Sequence, residues 1–181
     1  MSGGSENNLS AVGRRPTIMA WDLASCSGWA EGVAGNVPFF GSLRFAPVGA
    51  PQEEVFAGCI RALGIRLQAF RPDVLAYEEP SLFQLKSGRT TPATVELLFG
   101  LPAVVQGVAH RFGVRRIMKV QPAAVRRHFI GANPKREIAK KMTVSRCREL
   151  GIAVKNDDEA DAVAIHSFMS AYLVPELRST G

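Results

Sequence analysis

Short apolar runs, each closed by one acid, alternate along this chain with longer stretches whose apolar residues recur at helical spacing. Thr17 to Leu23 is such a run, with Asp22 as its only charge. It predicts a strand buried on both faces, followed by Ala24-Ser25-Cys26-Ser27-Gly28 as a small-residue turn in which backbone can approach a ligand closely. Trp29 to Ala34 predicts a second strand and Gly35-Asn36 a hairpin turn. Val37 to Phe45 predicts a third strand, which Pro38 confines to an edge or delays. From Pro51 to about Phe70, the positions Phe56, Cys59, Ile60, Leu63, Leu67 and Phe70 keep a helical period. Val74 to Glu78 then repeats the opening pattern of apolar residues followed by an acid.

Ser81 to Pro92 is polar and carries Phe83, Lys86 and Arg89. Thr91 and Pro92 read as N-cap and first position of a helix that runs to about Phe112. That helix is apolar nearly all round, so the domain or a second subunit must cover it, and Gly100 with Pro102 predicts a kink or tight packing. Arg115 to Val120 predicts a strand, Pro122 to Ile130 a helix, and Asn133-Pro134 the start of a helix that Gly151 ends. A last helix opens in Asn156-Asp157-Asp158-Glu159-Ala160-Asp161 and continues through an apolar run to about Leu173. The order predicts an α/β fold with one mixed sheet. At 181 residues and 46% hydrophobic content the chain supports one well-buried domain. We assign it to residues 17–174, with a disordered leader at 1–16 and a short tail at 175–181.

Composition narrows the partners. The 22 Lys and Arg exceed the 16 Asp and Glu, giving +6, which suits an anionic partner without requiring one. Lys135, Arg136, Lys140, Lys141, Arg146 and Arg148 make a basic helix that is solvated by default and becomes a phosphate track if the partner is nucleic acid. The three cysteines are far apart and lack metal-ligand spacing, so a zinc site is not expected and reduced thiols in a cytoplasmic protein are. No apolar run is read as long enough to span a membrane, and no signal-peptide core is present.

The candidate chemistry lies in lone acids. Asp22 and Glu78 stand at strand carboxyl ends, where ligands gather in open α/β sheets. Asp158 and Asp161 are three apart and share a helix face. Taken alone, the last cluster is explained by helix capping, with Asn156 and Glu159 as a capping box. The two strand-end acids change that. Four carboxylates in one cleft repel each other unless cations neutralise them, and oxygen-only donors select Mg²⁺ or Mn²⁺. Two such ions, roughly 4 Å apart, suit phosphodiester hydrolysis. Glu79, Asp157 and Glu159 are expected to be solvated or capping, and His110, His128 and His166 surface or packed.

Three segments resemble those of the RuvC family of Holliday-junction resolvases, within the RNase H-like nucleases. They are Trp21-Asp22-Leu23-Ala24-Ser25-Cys26-Ser27-Gly28-Trp29-Ala30, Asp73-Val74-Leu75-Ala76-Tyr77-Glu78, and Asn156-Asp157-Asp158-Glu159-Ala160-Asp161-Ala162-Val163-Ala164-Ile165. Each is weak alone; their order and spacing, from Thr17 to Tyr172, carry the resemblance. It implies an RNase H-like fold with a mixed five-stranded sheet flanked by helices. It also implies a Mg²⁺-dependent endonuclease that cuts four-way or related branched DNA as a homodimer and leaves 5′-phosphate ends. Asp22, Glu78, Asp158 and Asp161 match the family's metal-binding acids, and Lys135 a catalytic basic residue. Arg126 stands where a second lysine is usual, and Phe83 near where the family wedges an aromatic into the junction. Lys86, Arg89, Arg136 and Lys140 complete the expected DNA-facing set. Ser27 replaces the family's Thr, and Leu23-Ala24 its Pro-Gly.

Rival readings are weaker. An actin-like or sugar-kinase ATPase opens similarly but needs a second domain and a further Gly-rich phosphate loop. A non-catalytic DNA-binding relative has no need of all four acids. Another RNase H-like nuclease, such as a cutter of RNA hybrids, shares them.

Overall fold

The computed structural model describes residues 14–80 and 91–179. Five strands form one sheet in the order β3-β2-β1-β4-β5: β1 Thr17–Asp22, β2 Cys26–Val33, β3 Phe39–Arg44, β4 Val74–Glu78 and β5 Arg116–Val120. β1, β2 and β3 pair antiparallel, whereas β1, β4 and β5 run parallel, so the expected mixed sheet is present. The helices are α1 Gln52–Ala69, α2 Pro92–Arg111, α3 Pro122–Ile130, α4 Arg136–Glu149 and α5 Asp157–Leu173, and a 3-10 turn, Pro175–Ser179, follows.

Alternation along the strands divides the core in two. Met19, Trp21, Leu75 and Tyr77 face α1 and α2. Ile18, Ala20, Val74 and Ala76 face the other way, into a layer shared with α3, α4 and α5. Asp22 continues the Ile18-Ala20 alternation and Glu78 the Val74-Ala76 alternation, so both acids belong to the α5 face. Beyond the Trp21–Tyr77 pair, the parallel register sets Asp22 and Glu78 side by side.

Local chemistry moves several boundaries. β2 starts at Cys26, inside the stretch expected to be a turn. The buried Ser27 hydroxyl accepts from the Ala24 N–H at 3.0 Å and donates to the Ala24 carbonyl at 2.7 Å. The bend therefore closes before Cys26, which pairs with Arg44. β3 begins after Pro38, which has no N–H for the ladder. Lys135 is the N-cap of α4, so that helix starts at Arg136 rather than at the preceding proline.

Arg14, counted with the leader, pairs with Asp73 at 2.9 Å, and the Pro16 carbonyl accepts from Ala34 N–H at 2.9 Å. α2 is 20 residues long with a mean hydropathy of 1.4 over its best window, enough by length and composition to cross a membrane. The expectation that no run reaches that length therefore fails. Its inner side, Leu101, Pro102, Val105 and Ala109, is buried, and a Cβ on Gly100 would lie 2.5 Å from the Phe56 ring. α2 is thus seated tightly on α1, with its other side left open.

Candidate active site

The site is built where α5 begins. Asn156 caps that helix, its side-chain oxygen accepting from Glu159 N–H at 2.9 Å. The other half of the expected capping box is absent. Glu159 is buried, and its carboxylate accepts from Lys155 N–H at 2.7 Å and from the Ser42 hydroxyl at 3.4 Å. Asn156 also donates to Ser42 at 2.9 Å. These bonds pin the first turn of α5 to the edge strand β3, with Asp158 and Asp161 on the turn that faces the sheet.

How close that turn comes is decided by Gly28. A Cβ there would sit 1.8 Å from the Asp158 carbonyl oxygen and 3.2 Å from the Ala162 Cβ. Gly28 pairs with Asp22 across β1 and β2. The missing side chain therefore brings helix backbone against the strand residue beside the catalytic candidate. The small-residue turn was expected to admit a ligand; at Gly28 it admits α5.

The electrostatics follow from this packing. Asp22 keeps a little solvent access but is surrounded by protein. Burial first, then Asp161, Glu78 and Asp158, push its carboxyl well above the ordinary range. Burial and Asp161 raise Glu78 to about 7, although Arg126 and Arg136 act to lower it. Burial raises Asp161 to about 6 against the opposing pull of Lys140 and Arg126. Strand ends and helix start thus share one field, and all four acids take part in it. None of the side-chain carboxylates of Asp22, Glu78 and Asp161 has a hydrogen-bond or ion-pair partner among the described residues.

That shortage of partners is the test of a metal. Hard carboxylate oxygens, held together against their own repulsion, match the donor set of Mg²⁺ or Mn²⁺. Among the described residues, no group of three or more His, Cys, Asp and Glu side chains is arranged to hold an ion as it stands. The acids act on one another's charge without forming a closed chelate among the described residues.

The basic candidates separate. Arg126, on α3, and Arg136, at the first position of α4, act on the acids, and Lys140 ion-pairs with Asp157. Lys135 is exposed at the N-cap of α4. Phe83, Lys86 and Arg89 lie outside the described residues. Three contacts were not foreseen: the Cys26 thiol bonds Asp158, which raises the thiol's pKa; Lys140 pairs with Asp157; and Gln121 donates to Glu79. The Lys140 contact had a legible signal, since Lys140, Thr143 and Cys147 share one helical stripe and the latter two are buried.

A separate cavity lies elsewhere. It measures about 330 Å³ and is lined by Asn36, Pro38, His128, Leu150 and His166 among others, at the end of β1 away from Asp22. His166 is packed, and burial lowers it to about 4. The acid cluster lies instead at the carboxyl edge of the sheet.

No family model and no curated protein matches this chain. Solved structures do. A structure of Thermus thermophilus RuvC in complex with Holliday junction substrate aligns with a TM-score of 0.67 at 18% identity, covering 87% of this chain and 94% of the other. Another T. thermophilus RuvC structure gives 0.64 at 18%, covering 86% and 94%. The yeast mitochondrial Holliday junction resolvase Ydc2 gives 0.60 at 11%, covering 93% and 84%. The fold is the RNase H-like fold of these resolvases.

Proposed function

We propose that this chain is a divalent-metal-dependent endonuclease that hydrolyses phosphodiester bonds in branched DNA, with four-way junctions as its substrate. The observation that carries the proposal is the half-buried carboxylates of Asp22, Glu78 and Asp161, from β1, β4 and α5, which have no hydrogen-bond or ion-pair partner among the described residues and gather at the carboxyl edge of a fold shared with resolvases. Asp22, Glu78, Asp158 and Asp161 hold the metal, Mg²⁺ or Mn²⁺, as a pair of ions. When bound, the metal supplies a hydroxide nucleophile near neutral pH and offsets charge on the leaving oxygen.

The chain's own residues do the rest. Asp22 and Glu78, fixed on the rigid sheet, set the floor of the site. Asp158 and Asp161, on the pinned start of α5, set its wall. Lys135, Arg126, Arg136 and Lys140 line the approach and hold DNA phosphates by charge, and Phe83, Lys86 and Arg89 are further candidates for contact with DNA. Hydrolysis leaves 5′-phosphate and 3′-hydroxyl ends. Paired cuts across a junction need two sites, which a two-fold homodimer supplies, and the open apolar side of α2 is the candidate interface.

The test is cleavage of labelled four-way, three-way, flap, linear duplex and RNA–DNA hybrid substrates, in Mg²⁺ or chelator, by the protein and by Asp161→Asn. Metal-dependent cutting of branched DNA that the variant loses, by on the order of a thousandfold, is expected. Cutting confined to the hybrid, or unchanged in the variant, overturns the proposal.

A further inference from the structure

Lys140 differs from the other basic residues of α4 in being held by another element, whereas Arg146 pairs only within its own helix, with Glu149. Lys140 lies on the stripe shared with buried Thr143 and Cys147, and its side chain is only 29% exposed. Its ammonium pairs with Asp157 at the first position of α5. Asp157 is adjacent to Asp158 and four residues before Asp161, on the same helical face as the latter. The ion pair therefore fixes a positive charge over the very turn that carries two of the four acids. Lys141, one position on, points to solvent.

We propose that Lys140 is a resident cation of the acid cluster, positioned by Asp157, which sets how tightly the site loads divalent ions. The inference rests on the metal-dependent reading above and deepens it. Of the four acids, Asp22 and Asp161 both lie in the field of Lys140, whose charge opposes the burial and neighbouring acids that raise their carboxyls. Arg126 and Arg136 act on the same cluster from α3 and α4, but neither has an ion-pair partner holding it there among the described residues. A fixed ammonium offsets part of the acids' mutual repulsion before any metal arrives, and by the same charge it opposes an incoming divalent ion. The consequence is a folded metal-free site with a moderated metal affinity. Lys140 acts through the metal-binding acids and is a positioning residue.

Mn²⁺ binding to the DNA-free, full-length protein, followed by titration calorimetry and by loss of the free-ion spin-resonance signal, tests this. Lys140→Met should bind Mn²⁺ about tenfold more tightly, the scale expected for removing a unit charge several ångströms from a divalent ion at partly screened dielectric. Lys140→Arg, which keeps the charge, should stay within about twofold of the parent, and so should Lys141→Met, which loses a charge off the site. Thermal unfolding in chelator checks that each variant is folded. Parental binding with no tightening in Lys140→Met overturns the role of Lys140 alone. Equal tightening in Lys141→Met also overturns it, because the effect would then be net charge. No Mn²⁺ binding by either the parent or Lys140→Met overturns the metal-centred reading together with it.

Discussion

The two faces of the sheet are built from different sizes of side chain. Towards α1 and α2 the middle strands present Met19, Trp21, Leu75 and Tyr77; towards α5 they present Ile18, Ala20, Ala30 and Ala76. α5 answers with Ala160, Ala162 and Ala164. Large residues hold helices at a distance and fill the space between with apolar volume. Small ones let α5 lie close, so that its first turn reaches the strand ends. The first face serves stability; the second gives up apolar volume to place four acids together, and the neighbours Trp21 and Asp22 stand on opposite sides of that division.

This contrast gives the largest expected effects. Asp22→Asn should lower junction cleavage on the order of a thousandfold while leaving the metal-free fold as stable or more so. Trp21→Ala should do the reverse, costing roughly 3–5 kcal/mol of stability, with cleavage per folded molecule retained. Urea unfolding and single-turnover cleavage on both variants check this. If Asp22→Asn proves the less stable of the two, the two-face division is wrong.

Gly28 tests the close approach itself. An added Cβ would meet the Asp158 carbonyl at 1.8 Å, a collision with backbone that no rotamer relieves. Gly28→Ala should therefore cost roughly 3 kcal/mol or shift the start of α5, at the scale of strongly overpacked cores. In either case cleavage falls steeply. Stability and cleavage both near the parent's would mean that α5 is not held at that distance.

Gathering the acids should also be visible in the pH dependence of the metal-free protein. Glu78 is raised to about 7 and Asp161 to about 6, so between their unfolded values and these the folded state binds more protons. Their contribution to stability is present below about pH 4 and is lost as pH rises through 6 and 7. His166, lowered to about 4, works in the opposite sense, its stability present above about pH 6.5 and lost as pH falls through 4. The parent's profile mixes the two, so the difference between parent and Glu78→Gln is the useful measurement. In chelator at pH 8 that variant should be more stable by up to roughly 3 kcal/mol, an advantage that shrinks towards pH 4.5. Adding Mg²⁺ at pH 8 should cancel it by stabilising only the parent. An advantage constant across pH would trace to packing rather than charge.

Much of this was legible in the sequence because it rests on period and position. Strands that alternate or run apolar, and then stop at one acid, declare both their burial and their carboxyl ends, so the mixed sheet and the neighbouring positions of Asp22 and Glu78 follow. Contacts between elements distant in sequence did not follow. Glu159 looked like a capping acid because local rules reward a Glu at that spacing. Only the fold shows Ser42, from β3, bonded to it. Gly28 looked like an opening for a ligand, since the sequence gives no sign of which backbone will fill the space. The membrane-length expectation for α2 failed for a different reason: Glu96, Gln106 and His110 interrupt the run to the eye but leave its mean hydropathy at 1.4.

The smallest expected effect concerns the open side of α2, the counterpart of the crowded α5 face. Gly107 is exposed there, with nothing within 4 Å of an added Cβ. Within one copy, Gly107→Ala simply replaces a poor helix former by the best one and should gain about 0.8–1 kcal/mol. Phe99, 40% exposed on the same helix, would be covered in a homodimer packed through this side. Ala103 and Gly107 would then set how closely two helices approach, and an added methyl would weaken the pairing. Thermal midpoints at nanomolar and at high micromolar concentration, alongside sedimentation, separate the cases. A gain at low concentration that is lost at high concentration, with weaker association, assigns α2 to the interface. An equal gain at both, with association unchanged, removes α2 from it and requires the paired sites to meet through another surface.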